Sequence, residues 1–343
     1  MTTNKLTLKH KKNTIFSTNK DTLSCYVLSI IILLLIIAII CNPVKYNSSI
    51  LQGLQLFFIS VLPGLFPFMF LTKLLTSLGA VKHLSIKLSP LTQRLFNTHG
   101  ISSYVFIMSI LSGYPIGAKL ISDLYIANAI SVDDSKKMCA FCTTSGPIFI
   151  IGSVGATMFG NVTIGVILYV SHILSSVICG IIFAGKRKKN SAFIAKKPLQ
   201  MPDNLLGITM LNTVENILLV GAYITIFFLL ADILADIGIL KAITHAIEFL
   251  LSKVGIQNVS FGVASGLLEV TRGCKILSAN PSIWSVCFTC AAISFSGLCI
   301  ILQSMSFLNK CKIKARYFIG IKCVHAILAF VICFIICKLF NPF

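Results

Sequence analysis

The apolar positions of this chain fall into runs too long for a soluble core and too often broken for a simple bundle. A bilayer-crossing helix needs about 20 mostly apolar residues. Leu23 to Cys41 meets that length, and the polar leader before it, residues 1–22, carries Lys5, Lys9, Lys11, Lys12 and Lys20. Basic flanks mark the cytoplasmic side, so the pattern places the N-terminus in the cytoplasm. A second run, Ile50 to about Leu75, is interrupted by Pro63, Gly64 and Pro67 and followed by Lys73, Lys82, Lys87 and Arg94, which returns the chain inside. The thinly charged Pro43–Ser49 then reads as an outer connection. Between Leu84 and Phe96, leucines and Ile86 mix with Lys87, Gln93 and Arg94, as in a helix lying along the interface.

Ile101 to Tyr125 is apolar but broken at Ser112-Gly113-Tyr114-Pro115-Ile116-Gly117. Proline and glycine inside a helix remove or loosen backbone hydrogen bonds, so the segment reads as two half-helices forming a re-entrant hairpin. Such irregular backbone is tolerated at membrane depth where it lines a protein cavity. Ser131 caps a further helix with Asp133 and Asp134 in its first turn. That helix breaks at Thr143-Thr144-Ser145-Gly146-Pro147 and resumes through Ile148 to Phe159. Asn161 to Ala184 is a span, ending at a basic linker, residues 185–214, with Lys186-Arg187-Lys188-Lys189, Lys196 and Lys197.

The second half follows the same order. Glu215 to about Leu234 spans, Ile237 to Val254 suits the interface, and Ser260 to Ser278 is too short and polar to cross simply. Ser282 to Phe307 is softly broken at Ser294-Phe295-Ser296-Gly297, Lys310 to Arg316 is basic, and Tyr317 to about Cys337 is the last span. With both short segments re-entrant, every dense basic cluster falls on the cytoplasmic face. The expected architecture is all-α and polytopic: one extra N-terminal helix (23–41), then two inverted repeats (50–184 and 215–338) with re-entrant hairpins and broken helices.

Composition agrees. Of 343 residues, 56% are apolar and 11% charged, where a soluble domain carries about 25% charge. The 29 basic against 10 acidic residues give +19, which in a soluble protein would suggest nucleic acid. Here the basic residues sit between apolar runs, so the bilayer is the expected partner and nucleic acid is not. The 13 cysteines include Cys25, Cys41, Cys179, Cys323, Cys333 and Cys337 within apolar stretches, where cysteine acts as a small hydrophobe. Cys139 with Cys142, and Cys287 with Cys290, have C-x-x-C spacing but lack His or Cys partners at zinc-site spacing, so no metal or cofactor is expected. A cleavable signal peptide is not expected at a run long enough to span. No nucleophile, base and orienting group occur together, so the chain does not read as an enzyme.

Gly117-Ala118-Lys119-Leu120-Ile121-Ser122 aligns with Gly273-Cys274-Lys275-Ile276-Leu277-Ser278, sharing G-x-K, two aliphatics and Ser. Both copies end a short apolar segment. Transporters built from inverted repeats bind solute near the midplane, between discontinuous helices whose N-termini offer free N–H groups.

Four stretches carry a family resemblance: Leu62-Pro63-Gly64-Leu65-Phe66-Pro67-Phe68, Leu111 through Lys119 with its S-G-Y-P-x-G-A-K element, Thr144-Ser145-Gly146-Pro147-Ile148-Phe149-Ile150-Ile151-Gly152, and Ser265 through Gly273. From about Ile50 onward the chain resembles the sporulation integral membrane proteins of the YlbJ type, within the wider set sharing the nucleoside-transporter gate domain. The resemblance implies a role in endospore formation, with dipicolinic acid as cargo. The second-half break, Ser294 to Leu298, has fewer glycines than the family pattern.

Candidate binding residues follow. Ser112, Gly113, Tyr114 and Pro115, and Thr144, Ser145 and Gly146 with Pro147, free backbone groups that protein, water or cargo must satisfy. Thr271, Ser296 and Gly297 stand at corresponding places in the second half. Lys119, Arg272 and Lys275 are expensive at membrane depth unless they face water, a carboxylate or an anion. Either they contact an anionic cargo, or the lysines snorkel and Arg272 pairs with Glu269 on its own helix. Glu269, inside an apolar hairpin, is a candidate for coupling to a proton or cation, or for a structural ion pair. Asp123, Asp232 and Asp236 read as interfacial, and His172 and His325 as solitary packed histidines.

The expected function is therefore transport of a small anionic metabolite by alternating access. A nucleoside-type transporter and a non-transporting scaffold recruiting partners through the basic loop are the alternatives. Self-association is compatible with all three.

Overall fold

The computed structural model describes residues 19–78, 80–185 and 204–340, which are helical with no strand among them. Residues 1–18 of the basic leader and the Lys186–Lys197 loop lie outside the described residues, and the leader's last four, Asn19 to Thr22, begin the first helix. The chain divides into two compact units, Met1–Asn47 and Ser48–Phe343. In the first, α1 (Asn19–Cys41) carries the apolar stretch Cys25–Cys41.

The next helix, α2, runs Pro43–Leu75, and from Ser48 onward its residues belong to the larger unit. Pro43–Ser49, expected as a connection, is instead its first turns: a proline is tolerated where its N–H would be unpaired anyway. Nor do Pro63 and Pro67 end it. The helix widens into a π-turn at Phe57–Val61 just before them, and a side chain from a distant helix, Ser153 Oγ, donates to the carbonyl of Ser60 at 2.5 Å. There follow α3 (Ala80–Phe96), the hairpin α4 (Ser102–Ser112) and α5 (Ile116–Ile126), α6 (Val132–Phe141), the π-helical α7 (Ile148–Met158) and α8 (Val162–Ile182). Ser131 and Asp134 form a reciprocal cap on α6, and Asn161 caps α8.

The second series is α9 (Leu205–Asp236), α10 (Ile239–Ser252), the hairpin α11 (Ser260–Leu268) and α12 (Val270–Ser278), α13 (Ile283–Phe295), α14 (Gly297–Leu308) and α15 (Ala315–Phe340). Among the described residues, five helical stretches are long and apolar enough to cross a bilayer: α2, α8, α9, α13 with α14, and α15. This is a multi-pass integral membrane protein.

Nearly every packed pair of helices has a counterpart seven elements on. The hairpin arms α4 and α5 pack as α11 and α12 do, α3 lies on α4 as α10 lies on α11, and α2 meets α7 as α9 meets α14. Across the two series, α5 packs on α14 and α12 on α7, while α8 packs on α13 and α6 on α15. The aligned glycines sit at the hairpin crossings. A Cβ on Gly117 would lie 1.7 Å from the Cys142 carbonyl oxygen, and one on Gly273 2.4 Å from Gly266 Cα. Small residues of this kind let helix backbones touch in a bilayer.

Candidate functional site

Each break leaves backbone groups that need partners, and at each of two breaks one partner comes from the other series. Pro147 has no N–H, so the carbonyl of Thr143 lacks its helical donor. The ammonium of Lys322, on α15 and 1% exposed, donates to it at 2.5 Å. In the other direction, α13 ends at Ser296, in the left-handed region with φ 79°, and the Ile293 carbonyl has lost its partner. Tyr114, at the tip of the first hairpin, donates its hydroxyl to that carbonyl at 2.6 Å.

The first tip is held against the first break. Gly113, at φ 72° and ψ −169°, stands where a Cβ would be 2.5 Å from the Gly146 nitrogen, and Ser109 Oγ accepts from the Thr144 N–H at 3.0 Å. Gly297, at φ 62°, likewise leaves room beside the carbonyl of Gly266. The second tip ends at Glu269, which caps α12 by accepting from the N–H groups of Thr271 (3.0 Å) and Arg272 (2.6 Å). Glu269 is 1% exposed, so this carboxylate holds two N–H groups that have no partner within the helix.

These segments surround one cleft of about 480 Å³, including its open mouth. Ser112, Gly113 and Tyr114 come from the first tip, Ser145 and Gly146 from the first break, and Glu269, Val270 and Thr271 from the second tip. Gln303 and Cys299 of α14 and apolar side chains of α2 and α9 complete the wall. The buried hydroxyls of Ser112 and Ser296 have no hydrogen-bond partner among the described residues.

The remaining sequence candidates lie elsewhere. Pro115, Thr144, Ser296 and Gly297 are buried behind the wall, and Lys119 is half-buried in the neighbourhood of Lys73. Exposed Lys275 lines a separate depression with Gln55 and Ser60. Arg272 does not pair with Glu269. Because that carboxylate is turned onto its own helix end, the guanidinium reaches Asp232 at 2.6 Å and the Phe228 carbonyl at 3.3 Å. Asp232 thus has a structural partner as well as an interfacial position. Among the described residues no cation lines the cleft.

Two readings need correction. His172 and His325 are packed as expected but not solitary: their ring centroids lie 4.8 Å apart with the planes tilted by 30°. His172 Nε2 accepts from the Ser145 N–H at 2.9 Å, so its Nδ1 carries the proton and donates to Ser294 Oγ at 2.8 Å. His325 Nε2 donates to the His172 carbonyl at 3.1 Å. His172 therefore serves both helix breaks from behind, and His325 holds the His172 carbonyl. Lys322 was missed altogether; a lysine within the apolar run Tyr317 to Cys337 was the available signal, and the structure sets it 5.5 Å from the Tyr114 ring centroid.

No family model matches the chain, and no solved structure does. Over 330 residues it is 24% identical to the sporulation integral membrane protein YlbJ of Bacillus subtilis (strain 168), covering 89% of this chain and 81% of that protein. The chain is thus similar over nearly its whole length to a sporulation integral membrane protein, and among its described residues it carries five membrane-length helices of its own.

Proposed function

We propose that the protein is a transporter that carries a small anionic metabolite, dipicolinate in endospore formation, by alternating access between two inverted repeats. The observation that carries the reading is the convergence of both hairpin tips and the first helix break on one cleft walled by α14. Solute sites of inverted-repeat transporters are built from discontinuous helices in this way. The recurrence of packed pairs seven elements apart supports the repeat. So does the exchange of partners at the breaks, Tyr114 to Ile293 and Lys322 to Thr143.

In this mechanism the cargo's carboxylates meet hydroxyls and the N-terminal amides of broken helices rather than lysine or arginine. Glu269 already occupies one such helix end as a carboxylate. An anion beside it requires that its charge be neutralised, so the transported anion is accompanied by a proton or cation. Closing of one tip and opening of the other then exposes the cleft alternately to the two sides.

The cleft's lack of a lining cation favours one second reading, a neutral hydroxylated solute such as a nucleoside. Uptake of labelled dipicolinate into liposomes containing the purified protein, with nucleosides and other dicarboxylates as competitors, tests both. Accumulation blocked by dicarboxylates is expected. Competition by nucleosides alone selects the second reading, and no uptake of either class removes transport of both.

A further inference from the structure

Away from the cleft, α13 and α15 bring thiols together that are far apart in sequence. The Sγ atoms of Cys287, Cys333 and Cys337 all lie within 4.8 Å of one another, and those of Cys333 and Cys337 are 4.0 Å apart. Cys290, one turn beyond Cys287, faces Cys333 and contacts the Leu168 carbonyl at 3.7 Å. All four side chains are fully buried. The hydroxyl of Ser171, on α8, also faces Cys333, and among the described residues it has no hydrogen-bond partner.

We propose that this cluster is a thiolate site for a zinc-type divalent ion, held by Cys287, Cys333 and Cys337, with Cys290 as the fourth ligand. Tetrahedral zinc with Zn–S bonds near 2.3 Å sets its sulfurs about 3.8 Å apart, close to the spacing here. Residues four apart on α15 and three apart on α13 each present one helix face, so four ligands converge without loop rearrangement. Binding replaces thiol protons: four thiols release four protons to give a four-thiolate site with two excess negative charges. Ser171, a buried donor with no acceptor, is placed to hydrogen-bond the Cys333 thiolate, as groups around metal ligands do. Access is short, since Cys337 lies in the last turn of α15 and Cys287 in the second turn of α13. Trp284, stacked on Phe334 with centroids 5.4 Å apart, covers the same end. The site would pin the last span to the helix that carries the second break, which gives it a structural rather than a transport role.

The test uses the full-length protein purified without chelator and then titrated with Zn²⁺ or Co²⁺. We expect one zinc per chain by elemental analysis, a sulfur-to-cobalt charge-transfer band on Co²⁺ substitution, and a raised apparent Tm with Zn²⁺. The double variant C333S/C337S should lose all three, whereas C139S/C142S, altering a buried pair at the C-terminal end of α6, should retain them. The wild-type cobalt spectrum stands even if a variant misfolds. Folded wild type with no stoichiometric metal and no charge-transfer band overturns the site. So does a Cys287–Cys333 disulfide found by mass spectrometry, or full zinc retention in C333S/C337S. Preference for Cu⁺ over Zn²⁺ overturns the divalent assignment.

Discussion

Replacing Glu269 tests the geometry of the second tip most directly. Its carboxylate is 1% exposed and accepts two backbone N–H groups, from Thr271 at 3.0 Å and Arg272 at 2.6 Å. Glu269→Ala strands both donors in a site with little water, and each orphaned buried N–H costs about 1–3 kcal/mol, so the loss should be about 2–6 kcal/mol. Glu269→Gln keeps an acceptor but exchanges charge-assisted bonds for neutral ones, which costs about 1–2 kcal/mol. The expected order of apparent Tm, measured by thermal unfolding of the purified protein in one detergent, is wild type, then Gln, then Ala. Arg272 bonds Asp232 and not Glu269, so the Gln variant should leave that ion pair intact. If Glu269→Ala unfolds at the wild-type temperature, the carboxylate is not the cap of α12 and the reasoning on the tip fails. The same variants separate capping from coupling. A cap alone lets the Gln variant transport in proportion to its folded fraction, whereas a coupling carboxylate makes it folded and inactive.

Three further outcomes follow from the same geometry. Arg272 and Asp232 are 14% and 20% exposed; Asp232→Asn should lower stability by about 1–3 kcal/mol, discounted from a fully buried pair for residual solvent. The double change Arg272→Met with Asp232→Leu should recover part of that loss, and a double variant worse than the sum of the singles would refute pairing. Gly113→Ala forces a side chain into a glycine-only backbone region, costing about 1–3 kcal/mol before its overlap with Gly146 is counted. Gly238→Ala, at φ 84° with no atom within 4 Å, should cost about 1 kcal/mol, and equal Tm losses at the two glycines would rule out the tip-to-break contact. Tyr114→Phe leaves the Ile293 carbonyl without its donor, so it should destabilise by about 1–3 kcal/mol, and an unchanged Tm would remove that link between the two series.

What the sequence could and could not disclose divides along the range of the interactions. Helix breaks are local events, so Gly113-Tyr114-Pro115, Gly146-Pro147 and Ser296-Gly297 could be read directly, and each does interrupt a helix. Pro63 and Pro67 carry the same signal but do not interrupt α2. A π-turn at Phe57–Val61 precedes them, and Ser153, 93 residues away, takes the Ser60 carbonyl in that turn, a partner that no local pattern contains. Charge was the least legible. Lys119, Arg272 and Lys275 stood out because they lie in short polar-looking hairpins, yet none lines the cleft. Lys322, hidden in a long apolar span, is the cation that holds a break together. Likewise, Cys287 and Cys290 have no cysteine partner nearby in sequence; Cys333 and Cys337, whose thiols approach Cys287, arrive from another span. A bilayer accounts for these failures. Backbone groups freed at membrane depth need partners inside the protein, and at these breaks Tyr114 and Lys322 reach them from other helices, beyond the reach of any spacing rule.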